Sequence, residues 1–373
     1  MQSCRLAALF VSLGLVFVTA NLSAQPGQAA TPRDQGAAGH YSLAAKSLAA
    51  GNMSGYRRSL TAAAEAGHSH AMVQLGLRHM RGEAGFPVDL KTALAWFKRA
   101  AGNGSPYGLW FQAVSTHLLR EQGADPGGET PEEMELRAAK MAIQSSRTKS
   151  PDVLITLALA YRAGTGVQQD SEAEVRYLTQ AAEAGDVDAQ TDLGRQYTDE
   201  GNLPSRVNNY HPQRGVSWLR KAIASGSPRA MYVLATVYLS GRDAILYTGV
   251  ALFRMSQEEA ERRPDTRPGV KKDTGQALAL LRNAADRGDI NAMYSLGVLH
   301  LNGDVVPVNT EIALSWLEKS ASIGNPNAMF VLGEVYRHGQ GVDKDEDKGR
   351  QWLQKAAGLG NERAKKALAG ATR

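Results

Sequence analysis

With Ala292 taken as position 0, Ala292, Met293, Leu296, Gly297 and His300 fall at positions 0, 1, 4, 5 and 8. At about 100° per residue these share one face of a helix. Gly303 follows, where a helix end calls for left-handed backbone that glycine adopts without a Cβ penalty. After a short polar loop a second helical face is written in Ala313, Trp316, Leu317, Ser320 and Ala321, and Gly324 ends it. The pattern predicts a helix–turn–helix unit. Neither helix covers its apolar face alone, so such units are expected to stack.

The unit is repeated. "LGVLHLNGDVVPVNTEIALSWLEKSASIGN" begins at Leu296, and 36 positions later "LGEVYRHGQGVDKDEDKGRQWLQKAAGLGN" begins at Leu332. First halves recur as "LGLRHMRG" from Leu75, "LALAYRAG" from Leu157, "LGRQYTDEG" from Leu193 and "LATVYLSG" from Leu234. The expected first-helix stops are Gly82, Gly164, Gly241, Gly303 and Gly339. Second helices are expected to stop at Gly104, Gly185, Gly226, Gly288, Gly324 and Gly360. Trp96, Tyr177, Trp218, Trp316 and Trp352 fill one slot of the second helix, with Leu280 there once, and Trp316 and Trp352 are expected to be largely buried between helices. Self-similarity at a fixed period of roughly 20–50 residues marks a solenoid.

The pattern A-x-x-x-L-G-x-x-Y-x-x-G-x-G-V … A-x-x-W-x-x-K-A-A-x-x-G resembles the Sel-one-like repeat family, a branch of the tetratricopeptide superfamily. The likeness runs from about His40 to Ala369. It implies an all-α, right-handed superhelical solenoid that serves as an adaptor for other proteins, and it implies neither a catalytic activity nor a cofactor. Three stretches depart from the pattern. Residues 40–70 read as a degenerate first repeat, ahead of the solenoid of residues 71–369. The module after Gly104 has the long loop "REQGADPGGETPEE" and lacks Leu-Gly. Residues 242–268 are an insertion.

The N-terminus is of another kind. One positive charge precedes the apolar run Leu6 to Val18, and small residues follow, the layout of a secretory signal peptide. The run is shorter than the ~20 residues that span a bilayer. Cleavage is expected after Ala24, with Ala20 the other possibility and an uncleaved anchor the alternative. Residues 25–39 read as a flexible leader. Cleavage would remove Cys4, the single cysteine, and with it any disulfide or thiol chemistry. The expectation is a periplasmic or secreted protein with no transmembrane segment once the signal is gone.

The formal net charge of +5 is spread among interspersed acidic and basic residues, which points to a solvated surface rather than a nucleic-acid stripe. "GHSHA" offers His68 and His70 as metal ligands lacking a third, and the ordinary reading is a polar turn. His79 and His300 occupy the slot that holds Tyr161, Tyr197, Tyr238 and Tyr336 elsewhere, as packed or capping residues. "GTGVQQD" follows a helix and lacks the final glycine of a dinucleotide loop. "SRTK", Ser146 to Lys149, matches S-x-x-K, but no S-D-N or K-T-G accompanies it. A β-lactam-active hydrolase is therefore a remote alternative, and no metal, cofactor or catalytic residue is assigned.

The partner face is sought in the residues that vary between repeats. Position 2 of the first helix holds Val73, Trp110, Ile155, Thr191, Tyr232, Tyr294 and Phe330. It lies about 130° from the centre of the core face. It either packs between successive first helices, the more ordinary outcome, or lines the inner wall and grips a peptide or saccharide chain. Arg162, Arg195, Glu334 and Arg337 project from the same surface. The insertion contains "AILYTGVALF", with Tyr247 and Phe253, which is apolar for an idle loop. It is expected to join Tyr232 and Tyr294 in one contact surface, or else to be an extra helix packed on its own module. The expected function is an exported scaffold for a protein partner in the bacterial envelope. A narrower alternative is a periplasmic helper of exopolysaccharide export.

Overall fold

The structure is a computed structural model that describes residues 32–199, 211–241, 244–247, 252–255 and 269–370; of residues 32–35, 244–247, 252–255 and 370 it describes the backbone alone. Helices follow one another in antiparallel pairs. The pairs are α1 (Pro32–Ala49) with α2 (Met53–Glu65), α3 (Ser69–Arg81) with α4 (Leu90–Gly102), α5 (Pro106–Glu121) with α6 (Pro131–Gln144), and α7 (Pro151–Ala163) with α8 (Ser171–Glu183). They continue as α9 (Val187–Thr198) with α10 (Pro212–Ala224), α11 (Pro228–Ser240) with α12 (Thr274–Asp286), α13 (Ile290–Asn302) with α14 (Thr310–Ile323), and α15 (Pro326–His338) with α16 (Glu346–Gly358). An unpaired α17 (Glu362–Gly370) follows.

The Leu-Gly dipeptide shows why each pair closes. A Cβ on Gly297 would lie 2.6 Å from Leu317 Cγ and 3.1 Å from the Ala313 carbonyl oxygen. Gly333 stands in the same relation to Leu353 at 2.7 Å, and Gly194 to Leu219 at 2.6 Å. The missing side chain of the first helix is therefore the hole that receives one side chain of the second. That plug is the residue after the Trp slot. Leu317, Leu353, Leu219 and Phe97 are buried, while Trp96, Tyr177, Trp316 and Trp352 are only half-buried.

The expectation that Trp316 and Trp352 are largely buried therefore fails, although Trp218 in the same slot is buried. Each indole lies at the rim of its helix pair, with a cation three residues on covering its outer face. Arg99 stands 4.3 Å from the Trp96 ring centroid, Lys221 3.9 Å from Trp218, Lys319 4.4 Å from Trp316 and Lys355 4.4 Å from Trp352. The recurrent W-x-x-K/R is a cation–π pair along one helical turn.

The Tyr/His slot has a backbone role. Its carbonyl accepts the N–H of the residue that caps the second helix. Asp89 donates to His79 at 2.8 Å, Asp273 to Tyr238 at 2.9 Å, Asn309 to His300 at 2.9 Å and Asp345 to Tyr336 at 2.8 Å. The same cap residues use their side chains to accept amide protons from the helix they start. Gly303, at φ 79°, makes the left-handed exit that lets the chain reach this cap.

Two expectations about the departures are corrected. Helix α1 begins at Pro32, inside the stretch read as a flexible leader, because Ala37, Tyr41, Ala44 and Leu48 form a buried stripe at helical spacing. In the insertion, Ala244–Tyr247 (β1) and Leu252–Met255 (β2) pair antiparallel with Leu246 opposite Phe253 and Tyr247 opposite Leu252, so this part is a hairpin rather than an extra helix. The β-branched and aromatic residues Ile245, Tyr247 and Phe253 suit strands. Outside this hairpin the described solenoid is helical. Residues 242–243, 248–251 and 256–268, and the signal segment 1–24, lie outside the described residues.

Candidate interaction surface

The first helices converge on the superhelical axis. The face they turn to it is set by the residue before position 0 and those three, six or seven, and ten places after it. On α3 these are His70, Gln74, Arg78 and Arg81; on α7, Asp152 and Thr156; on α9, Asp188 and Asp192; on α11, Arg229. Position 2 instead faces the neighbouring first helix. Val73, Trp110, Ile155 and Thr191 are sealed there, at 0–1% exposure. The aromatic ladder at position 2 is thus packing in the N-terminal repeats, and Trp110 presents no surface to a partner.

The axial residues bind one another in a continuous polar chain. Ser105 Oγ–H donates to Asp152 Oδ2 at 2.5 Å, and His70 Nδ1–H to Asp152 Oδ1 at 2.5 Å. His70 Nε2 is then left to accept from the Gln74 amide at 3.0 Å, and Gln74 Oε1 accepts from Arg78 Nη2 at 3.1 Å. Arg78 pairs with Glu83 and, at 3.6 Å, with Asp188. Arg229 completes the chain, 3.9 Å from Asp188 and 2.9 Å from Asp192. Arg195 borders it, half-buried, 3.9 Å from Asp192.

Burial governs the ionisation here. It pushes Asp188 up to about 6 against the pull of Arg78, Arg81 and Arg229, and Asp289 up to about 6 despite the Ala292 amide and Arg229. It brings the Arg81 guanidinium down to about 9, with Arg229 adding repulsion. Burial also raises Asp152, but His70 and Ser105 outweigh it and hold that carboxyl below its ordinary value. Serine and histidine here both donate to one carboxylate. The histidine therefore cannot take the serine's proton, and this is not a nucleophilic relay.

The other candidates find ordinary places. His68 caps α3, its Nδ1 accepting the Ala71 amide at 3.1 Å, and His70 is committed to Asp152. Ser146 opens a single 3-10 turn, and Lys149 points outward after it at φ 50°. His79 stacks obliquely on Phe86 at 5.1 Å.

The axial stripe is open in the C-terminal repeats. Its members on α13 are Asn291, Ser295 and Val298, and on α15 Asn327, Val331 and Glu334; all are half-buried or exposed. Beside them Tyr294 is half-buried, and Tyr232 is held by a hydrogen bond to Ser295. Glu334 lies 3.5 Å from Arg337 and 3.6 Å from His338. Phe330 is buried beneath the Arg363 guanidinium, 4.3 Å from its ring centroid. Of the residues singled out in the sequence, Tyr232 and Tyr294 come together beside this stripe, and Phe330 backs it from the core. Tyr247 and Phe253 contribute backbone pairing in the hairpin.

Sequence reasoning missed the axial chain. Its residues look like a solvated helix face, and its partners are far apart in sequence, as with His70 and Asp152.

Comparison with known proteins agrees with this architecture. Residues 69–105, 156–186, 187–227, 250–289, 290–325 and 326–361 each match the Sel1 repeat. An uncharacterised protein of Neisseria meningitidis is 27% identical over 214 residues, 55% of this chain and 41% of that protein. The chitin synthase regulator of Saccharomyces cerevisiae is 30% identical over 187 residues, 48% of this chain and 25% of the regulator. The match thus spans less than half the length of either relative. A Sel1 repeat protein from Oxalobacter formigenes is 25% identical, with 91% of this chain and 88% of that one covered at a TM-score of 0.45. A protective antigen of uropathogenic Escherichia coli is 24% identical, with 92% and 67% covered at a TM-score of 0.43. Repeats of this kind are scaffolds for protein–protein interaction. Six matching units across more than half of the chain place it in the Sel1 repeat family.

Proposed function

We propose that this protein is an exported scaffold of the bacterial envelope that holds a protein partner on the inner face of its C-terminal repeats. The reading rests on one contrast. The N-terminal axial stripe is satisfied by its own charge pairs, whereas the same stripe on α13 and α15 is half-buried or exposed and differs between the two repeats at Ser295/Val331 and Val298/Glu334. Export is supported by the charged start, the apolar run and the small residues of the leader. Among the described residues no helix is long and apolar enough to cross a membrane.

The test is affinity capture from an envelope extract with the full chain and with a Tyr294→Ala, Glu334→Ala, Arg337→Ala variant. The variant should keep its helical circular dichroism and lose the captured partner, and N-terminal sequencing of the exported protein should start at Gln25 or Asn21. Full capture by the folded variant, or an intact Met1 on membrane-bound material, overturns the corresponding half of the proposal.

A second reading, a helper of polysaccharide export, draws on the relative named as a regulator of a polysaccharide synthase. It is favoured if the captured partner belongs to a polysaccharide channel or synthase.

A further inference from the structure

Among the contacts between successive turns of the superhelix, two carry hydrogen bonds from outside the axis. The loop after α3 meets the turn between α14 and α15, where the Val88 N–H donates to the Ile323 carbonyl at 2.8 Å. A Cβ on Gly82 would lie 2.8 Å from Val88, 2.9 Å from Ile290 and 3.1 Å from Ile323, so the loop is wedged among these side chains. At the second place Arg287, at the end of α12, reaches back to the first repeat. Its Nε donates to Asn283 Oδ1 at 2.8 Å, and its Nη1 lies 3.4 Å from the Leu48 carbonyl and 3.5 Å from that of Gly226. Those carbonyls end α1 and α10, where the backbone dipoles favour a cation. Gly51 makes room, since a Cβ there would stand 3.2 Å from the guanidinium carbon.

We infer that Arg287 and the Val88–Ile323 bond form a clasp that holds the first superhelical turn closed over its axis, and so controls access to the charged surface inside. Inside the apolar contacts of the clasp itself, the groups that meet at the axis are largely polar. Helices α3 and α9 meet across the axis through Arg78 and Asp188, and α11 joins through Arg229. Separating such groups in water returns their hydration, which offsets much of the lost attraction. Separating an apolar seam has no such return. The apolar plugs, Leu219 on Gly194 and Phe97 on Gly76, join helices of the same pair, so they survive an opening between turns. The open form presents His70, Gln74, Asp152, Asp188, Asp192 and Arg229 as a mixed-charge wall.

The measurement is thiol labelling in a Cys4→Ser chain carrying Thr156→Cys. Thr156 lies on the axial stripe and is fully buried, and the substitution nearly preserves its volume. Labelling by a soluble disulfide reagent should be slow in this parent. Arg287→Ala should speed it at least about tenfold, equivalent to about 1.4 kcal/mol of opening free energy, with circular dichroism unchanged. Arg282→Ala, exposed on the same helix, should leave it unchanged. An unchanged rate in Arg287→Ala, or one that rises only in step with loss of helical signal, overturns the clasp. If Arg287→Ala does not fold, Arg287→Lys decides. Labelling several-fold faster than the parent supports the clasp, and the parent's rate overturns it.

Discussion

At the scale of single residues, the repeat's most visible side chain is not its most important one. Trp316 lies half-buried beneath Lys319, whereas Leu317 fills the hole left by Gly297. Leu317→Ala should cost about 2–5 kcal/mol, a cavity effect. Trp316→Ala should cost about 1–2 kcal/mol, the cation–π contact and part of the ring's burial. Chemical denaturation of the two variants checks the order, and a larger loss for Trp316 would contradict it. Glu135 is the opposite kind of residue, a carboxylate on α6 that is buried with its Oε1 unpartnered. Burial, helped by Glu132, pushes it up to about 7. A carboxyl whose folded value is raised contributes stability that is complete below its unfolded value, about 4.5, and lost as pH climbs through 7. Glu135→Gln should therefore stabilise the protein by about 2 kcal/mol at pH 8 and by almost nothing at pH 4. Thermal melts across that range would show it, and equal effects at both ends would refute it.

At the scale of elements, most of the fold is legible because its determinants are local. Glycine stops, the asparagine or aspartate caps and the alanine faces all lie within one repeat, so the helices announce themselves. Helix α1 and the insertion hairpin were harder. The first has only Ala37, Tyr41, Ala44 and Leu48 as signal within polar sequence, and the second carries apolar residues that fit strand or helix alike. The elements also divide in strength. The apolar cluster of the last repeats, centred on Leu317, Leu332 and Leu353, adjoins the large one that runs from Tyr41 to Leu296, with Trp316 and Ile323 of α14 packed against the latter. Leu353→Ala should therefore loosen the last repeats and leave the first ones alone. Hydrogen exchange should quicken by orders of magnitude in α15 to α17 and stay unchanged in α3 and α9, and uniform acceleration would contradict this locality.

At the scale of the whole molecule, the axial chain was illegible because its meaning depends on closure. His70 and Asp152, or Arg78 and Asp188, become partners only when the superhelix brings distant repeats face to face. The same fact explains why position 2 is a seam between helices and not the inner wall of its alternative reading. An ideal repeat array gains or loses a unit anywhere along its length, since each unit needs only its neighbours. This chain is not free in that way. Deleting the repeat of α9 and α10, residues 187–227, would remove Asp188 and Asp192 together. Arg78 would then lose its contact with Asp188, and Arg229 its charge pairs with both. Between α3 and α11 the number of repeats is therefore fixed by electrostatics, as the number of staves in a barrel is fixed by its hoop. Insertions and deletions are tolerable there only in loops outside the clasp, and whole-unit changes only beyond that span.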